Sequence, residues 1–250
     1  MANEVAKAKE TAVSADVLDY MLETAGEGAS FDSSEMQIPF IRVLQALSPQ
    51  LNKKKPEHIE GAEQGDMFNT VTNQYWSGEE GIIVVPCYQS VKYLEFVPRD
   101  LGGGFKGELP ANDPLLQQTQ RSGSKEILPN GNELVKSDQN FCLVLDEEGS
   151  YQPAVVDMKS TQQIAMQKFN HPKKGMITPA NFTTKWKLTT TEETNDQGSW
   201  NNYQVENQGF VSKEIMLAGK AFRESIMAGE VKATPEGTPT APLKDDDIPF

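Results

Sequence analysis

Apolar and polar positions alternate with a period of two along several stretches of the chain, the pattern of strands with one buried face. Residues 66–71, 81–86, 91–97, 141–145, 152–157, 182–191 and 203–211 read this way. The pairs are joined by turn chemistry: Thr72-Asn73-Gln74-Tyr75-Trp76-Ser77-Gly78 between the first two, and Asp146-Glu147-Glu148-Gly149 between 141–145 and 152–157. A 3.6-residue period appears twice. Residues 159–169 form one helix, with Ser160 or Thr161 near its start and Pro172 past its end. Residues 213–228 form the other, with Ile215, Met216, Ala218, Phe222 and Ile226 on one side. Residues 38–47, broken by Pro39 and Pro49, enter the core as a short helix or strand.

The expected fold is therefore mainly β with a few helices: three strand blocks, a helix, two strands and a C-terminal helix. A helix between the third and fourth strands is the arrangement of an OB-fold-like Greek-key barrel. The Gly102-Gly103-Gly104-Phe105-Lys106-Gly107 segment and the polar stretch to Ser137 then become a flexible insertion. Residues 1–35 are small and polar and read as a flexible segment, with one short helix over 15–24 on which Val17, Leu18, Met21 and Leu22 share a face. Residues 230–244 carry Pro235, Gly237, Pro239 and Pro242 and form a linker that cannot pack. Three regions follow: an N-terminal segment 1–35, a folded domain 36–229, and a disordered linker and tip 230–250.

Charge changes the picture. The chain of 250 residues is net −13, which at first opposes nucleic acid. The acids, however, collect at the ends: eight against two lysines in residues 1–35, and five against two lysines in 230–250. Residues 158–191 hold six lysines and no acid. A locally basic surface between two acidic tails suits DNA, because contact depends on local potential. No apolar run approaches the ~20 residues needed to cross a bilayer, and residues 1–11 show no secretory pattern. Cys87 and Cys142 lack C-x-x-C spacing, and His58 and His171 lie far apart, so no zinc site or cofactor is expected. Both cysteines read as buried thiols of a cytoplasmic protein.

The chain ends Asp245-Asp246-Asp247-Ile248-Pro249-Phe250 behind a Pro/Gly/Thr linker. This ending resembles the C-terminal tip of bacterial single-stranded DNA-binding proteins. The resemblance implies docking on replication and repair proteins, with Phe250 as anchor, Pro249 and Ile248 shaping it, and Asp245, Asp246 and Asp247 steering it. Ile38-Pro39-Phe40, Glu60-Gly61-Ala62-Glu63, Gly102-Gly103-Gly104-Phe105 and Gly198-Ser199-Trp200 look like phage-encoded proteins of the same function, and imply a replication factor acting in the host bacterial cytoplasm.

Single strands need cations along the phosphates and flat rings for the bases. Lys159, Lys168, Lys173, Lys174, Lys185 and Lys187, interleaved with Phe169, Phe182 and Trp186, supply both. On a regular strand Phe182, Trp186 and Leu188 share one face, and Lys185 and Lys187 the other. Trp186 is thus either a stacking ring or a core residue. Lys53, Lys54 and Lys55 form a second basic loop, either a contact or a solvated turn. Tyr75 and Trp76, at a hairpin tip, are stacking candidates, and Tyr88 or Tyr93 is a further one. The glycine-rich loop is not a P-loop, and neither G-x-S-x-G nor H-E-x-x-H occurs. The expectation is a non-enzymatic, sequence-nonspecific single-stranded DNA-binding protein of DNA replication, recombination and repair, compatible with a homo-oligomer and with no membrane partner. The alternatives are a recombination mediator or strand-annealing protein, and a virion structural protein.

Overall fold

A computed structural model describes residues 38–123, 125–159, 162, 165, 180–196, 198–231 and 233. The expected helix over 15–24, most of the one over 159–169, and the C-terminal tip lie outside the described residues. Among those described are eleven strands and one α-helix. In chain order these are β1 (Phe40–Val43), β2 (Met67–Asn69), β3 (Tyr75–Trp76), β4 (Ile82–Phe96), β5 (Phe105–Leu109), β6 (Gln120–Ser122), β7 (Lys125–Ile127), β8 (Glu133–Leu145), β9 (Tyr151–Lys159), β10 (Thr184–Asn195), β11 (Gly198–Phe210) and α1 (Lys213–Met227).

All strands belong to one sheet, ordered β11-β10-β4-β8-β9-β1-β2-β3, with β5 on the far half of β4 and the β6–β7 ribbon on β8. The run β10-β4-β8-β9 is antiparallel, and β10 returns to lie beside the first of these strands. That is the fourth-first-second-third order of a Greek key. β1 joins β9 in parallel and β2 antiparallel. The sheet curls into a half-barrel around Ile41, Met67, Val84, Cys142, Val144, Ala154, Val156, Trp186, Leu188 and Tyr203.

Side chains rather than a ladder bring the two ends of the curl together. Tyr203 Oη donates to the Ile41 carbonyl at 2.9 Å. Gln45, just past β1, grips β11 through both backbone groups of Asn201, each at 2.8 Å.

Strands β4, β8 and β9 are buried on both faces, which is why they contain continuous apolar runs. Their inward residues fill the half-barrel, while Val85, Cys87 and Leu143 pack outward against Ile215, Phe182 and Phe222. Helix α1 begins where Ser212 Oγ accepts from Ile215 N. It sits close to the sheet because Gly219 has no side chain: a Cβ there would lie 2.8 Å from Phe182 Cβ and 3.2 Å from Cys87 Sγ.

Several expectations need correction. The two strands read at 81–86 and 91–97 are a single strand, β4, with an irregularity between Pro86 and Tyr88 that the pattern read as a break. The insertion read at 100–137 carries strands of its own: β5, β6, β7 and the first residues of β8 lie there, polar because they pair at the sheet's outer margin. Lys159 is the last residue of β9 rather than the first of a helix.

Candidate nucleic-acid interface

The alternation along β10 settles where its rings and lysines point. Trp186 and Leu188 face inward, and Trp186 is only 6% exposed. Its Nε1 donates to Thr184 Oγ1 at 3.1 Å. An indole enclosed in this way cannot stack on a base, so Trp186 is a core residue and not a DNA contact. Lys185 and Lys187 lie half-buried on the opposite face. Lys185 falls in a register shift of the β10–β11 ladder, and Lys187 stands directly across from Glu206. Beyond them the hairpin ends in Glu192, Glu193 and Asp196, an acidic tip that repels phosphate.

Lys159 is also committed elsewhere: its Nζ lies 2.6 Å from Asp157 Oδ2. Lys168, Lys173 and Lys174 lie outside the described residues. Tyr88 packs on Phe141, with ring centroids 6.0 Å apart, and belongs to the cluster under α1.

Tyr75 lies in strand β3, paired with β2, and not at the tip of a hairpin as expected; its hydroxyl meets, at Gly61, the 44–66 segment that also carries Lys53, Lys54 and Lys55. Residues 44–66 fold over Phe68 of β2 on a small core of Leu44, Ile59 and Phe68 with Leu51 and Ala62. Ile59 N and His58 Nδ1 both reach the Gln50 carbonyl, at 2.9 Å each, which closes the turn that carries Lys53, Lys54 and Lys55 into solvent. Tyr75 is 39% exposed. Its hydroxyl rests against this loop at Gly61, where a Cβ would approach Tyr75 Oη to 2.7 Å. Gly61 also has φ +83°, the left-handed region that favours glycine. Trp76, half-buried, packs on the barrel core instead. Glu57, Glu60 and Glu63 share the loop with the lysines and temper its potential.

Pattern reading missed a buried carboxylate. Glu95 is 7% exposed near the end of β4. Its Oε1 accepts from Lys106 Nζ at 3.0 Å, from Asn130 Nδ2 at 2.8 Å and from Asn132 Nδ2. The clasp ties β5 and the turn before β8 to β4. Its only trace in the sequence is an acid between Leu94 and Phe96 in an alternating strand. Burial alone would raise this carboxyl's pKa, but the Asn132 amide, the Lys106 ammonium and the Asn130 amide together hold it below its ordinary 4.5. A depressed folded-state pKa contributes stability above the unfolded value and loses it as pH falls through the folded one. Thermal melts of wild type and Glu95→Gln should therefore differ most at neutral pH and converge below about pH 4.5. A gap that persists or widens in acid would refute this role.

Burial lifts the Cys87 thiol to about 12, against a hydrogen bond with the Leu143 backbone. It lifts that of Cys142 as well, with Cys87 adding to the effect. Both thiols stay protonated at neutral pH, so neither is an activated nucleophile. Among the described residues no helix is long and apolar enough to cross a membrane.

These features define the class: a Greek-key half-barrel, capped on its outer face by one helix, with an exposed tyrosine against a lysine-tipped loop. The family model for Pam3 phage gp34-like protein matches residues 8–232. The chain belongs to that family. No curated protein and no solved structure matches it.

Proposed function

We propose that this protein binds single-stranded DNA without sequence preference and recruits replication, recombination and repair proteins through Asp245–Phe250. It would act during phage infection, in the host bacterial cytoplasm. The observation that carries the reading is the exposed ring of Tyr75 lying against the loop that projects Lys53, Lys54 and Lys55. A ring offers every base a face, and cations carried by the segment it touches can track phosphates, a combination that needs no sequence readout. The strand order supports it. Numbering β4, β8, β9, β10 and β11 as one to five, their order in the sheet is five-four-one-two-three, that of an OB-fold opened between strands three and five, with β1 seated beside strand three.

Titration of labelled poly-dT and of duplex, each at two salt concentrations, tests the proposal. Single strands should bind tighter, with log K falling against log salt by roughly 0.7 per phosphate neutralised. Tyr75→Ala should weaken binding at both salts, by about 1–3 kcal/mol if one base stacks on the ring. Replacing Lys53, Lys54 and Lys55 by Ala should flatten the salt slope. Equal affinity for duplex, or a slope untouched by the triple replacement, would defeat the proposal.

A further inference from the structure

Asn130 is the only asparagine of the chain that glycine follows. That dipeptide is the one most prone to lose ammonia, because glycine has no side chain to hinder its nitrogen from reaching the preceding carboxamide. The pair lies exposed in the turn Leu128-Pro129-Asn130-Gly131, between β7 and β8. Proline pre-sets the first central φ of this turn, and Gly131 takes φ +85° at its end.

Hydrogen bonds hold both reacting groups apart. Gly131 N donates to the Leu128 carbonyl at 2.9 Å, so the attacking nitrogen is engaged. The carboxamide is held at both ends: Asn130 Nδ2 donates to Glu95 Oε1 at 2.8 Å, and Oδ1 accepts from Asn132 N at 3.0 Å. Cyclisation must swing Asn130 Cγ onto Gly131 N, and each of these bonds opposes that rotation. The bonds to Leu128 and Asn132 are local and open whenever the turn frays. The bond to Glu95 reaches across to β4 and ends on a carboxylate that is 7% exposed, which makes it the strongest of the three.

We propose that Asn130 is a deamidation site guarded by Glu95, and that its reaction opens the clasp for good. Gly131 N gives its proton to water and bonds to Asn130 Cγ, and the Cγ–Nδ2 bond breaks to release ammonia. A second water opens the cyclic imide at one carbonyl or the other, leaving aspartate or isoaspartate at position 130. The donor that served Glu95 is thereby replaced by a carboxylate beside it, and attraction becomes repulsion. In the isoaspartate branch the main chain also gains a carbon, which breaks the geometry of the turn. The conversion needs only water and runs one way, loosening the β7–β8 turn from the far half of β4.

Incubation at neutral pH followed by tandem mass spectrometry of the tryptic peptide Glu126–Lys136 measures the rate. The same peptide made synthetically gives the unguarded rate. Wild type should convert roughly tenfold more slowly or better, the factor expected of one hydrogen bond to a charged group. Glu95→Ala should approach the rate of the peptide. Glu95→Gln, which keeps the shape without the charge, should fall between. Labelling of the buried Cys142 by a thiol reagent reports unfolding and should stay as slow in both variants as in wild type. Should Glu95→Ala expose Cys142, the Glu95→Gln rate decides. Asn130→Asp, which copies one product, should lower the melting temperature of wild type and do so less in a Glu95→Gln background, where one of the two charges is gone. A wild-type rate equal to that of the peptide, no rise in the Glu95 variants, or an Asn130→Asp protein as stable as wild type would overturn the proposal.

Discussion

Trp186→Ala should cost about 3–5 kcal/mol of folding stability, the range for removing a large buried aromatic side chain. On a domain of this size that corresponds to a fall in melting temperature on the order of 10 °C. The indole sits between inward residues of several strands and is 6% exposed, so little around it can collapse into the space. Its loss also leaves Thr184 Oγ1 without the Nε1 donor. Trp186→Phe keeps most of the volume and should recover more than half of the stability. At a temperature where the variant is folded, its affinity for poly-dT should equal that of wild type, since the ring is enclosed in the core. Calorimetry and DNA titration on the same sample check both halves. A stable variant with weakened DNA binding would mean the ring serves as a platform after all.

Gly78→Ala should destabilise the protein by about 2–5 kcal/mol, a large effect for one methyl group. The added Cβ would lie 2.1 Å from Thr190 Oγ1 and 2.2 Å from the Gly65 carbonyl oxygen. Neither atom can retreat cheaply. Thr190 Oγ1 donates to that same Gly65 oxygen at 2.6 Å, Thr190 N donates to the Gly78 carbonyl at 2.8 Å, and Gly78 N donates to Asp66 Oδ1 at 3.1 Å. Relief would part β10 from the two loops beneath it, adding the loss of one or two hydrogen bonds, each ~1 kcal/mol, to an overpacking cost of about 1–3 kcal/mol. Gly107→Ala is the control: no heavy atom lies within 4 Å of where its methyl group would stand, and it should change stability by less than about 0.5 kcal/mol. Chemical denaturation of the two variants decides the matter, and equal midpoints would remove Gly78 from the seam.

Periodic features were legible in the chain before any contact was known. Alternation located both strands of the β8–β9 hairpin and both of β10–β11, because a strand's faces repeat every two residues whatever it packs against. The 3.6-residue period located α1 to within a residue of its end for the same local reason. The Asp-Glu-Glu-Gly turn was legible because backbone reversals select its residues, whereas the hairpin tip read at Tyr75 and Trp76 is strand β3, paired with β2. Which face of each strand is filled came from the packed fold. Trp186 and Lys185 are neighbours whose roles depend on the curl of the sheet, and period two cannot say which side becomes inside. Packing also made a strand of the polar residues from 133 to 140: Asp138, Gln139 and Asn140 are buried there, held by partners distant in the chain such as Gln89. Glu95 with Asn130 and Asn132, and Gln45 with Asn201, are likewise long-range contacts. Such contacts leave no period to read, since a hydrogen bond between residues 156 apart is fixed by topology and not by neighbours.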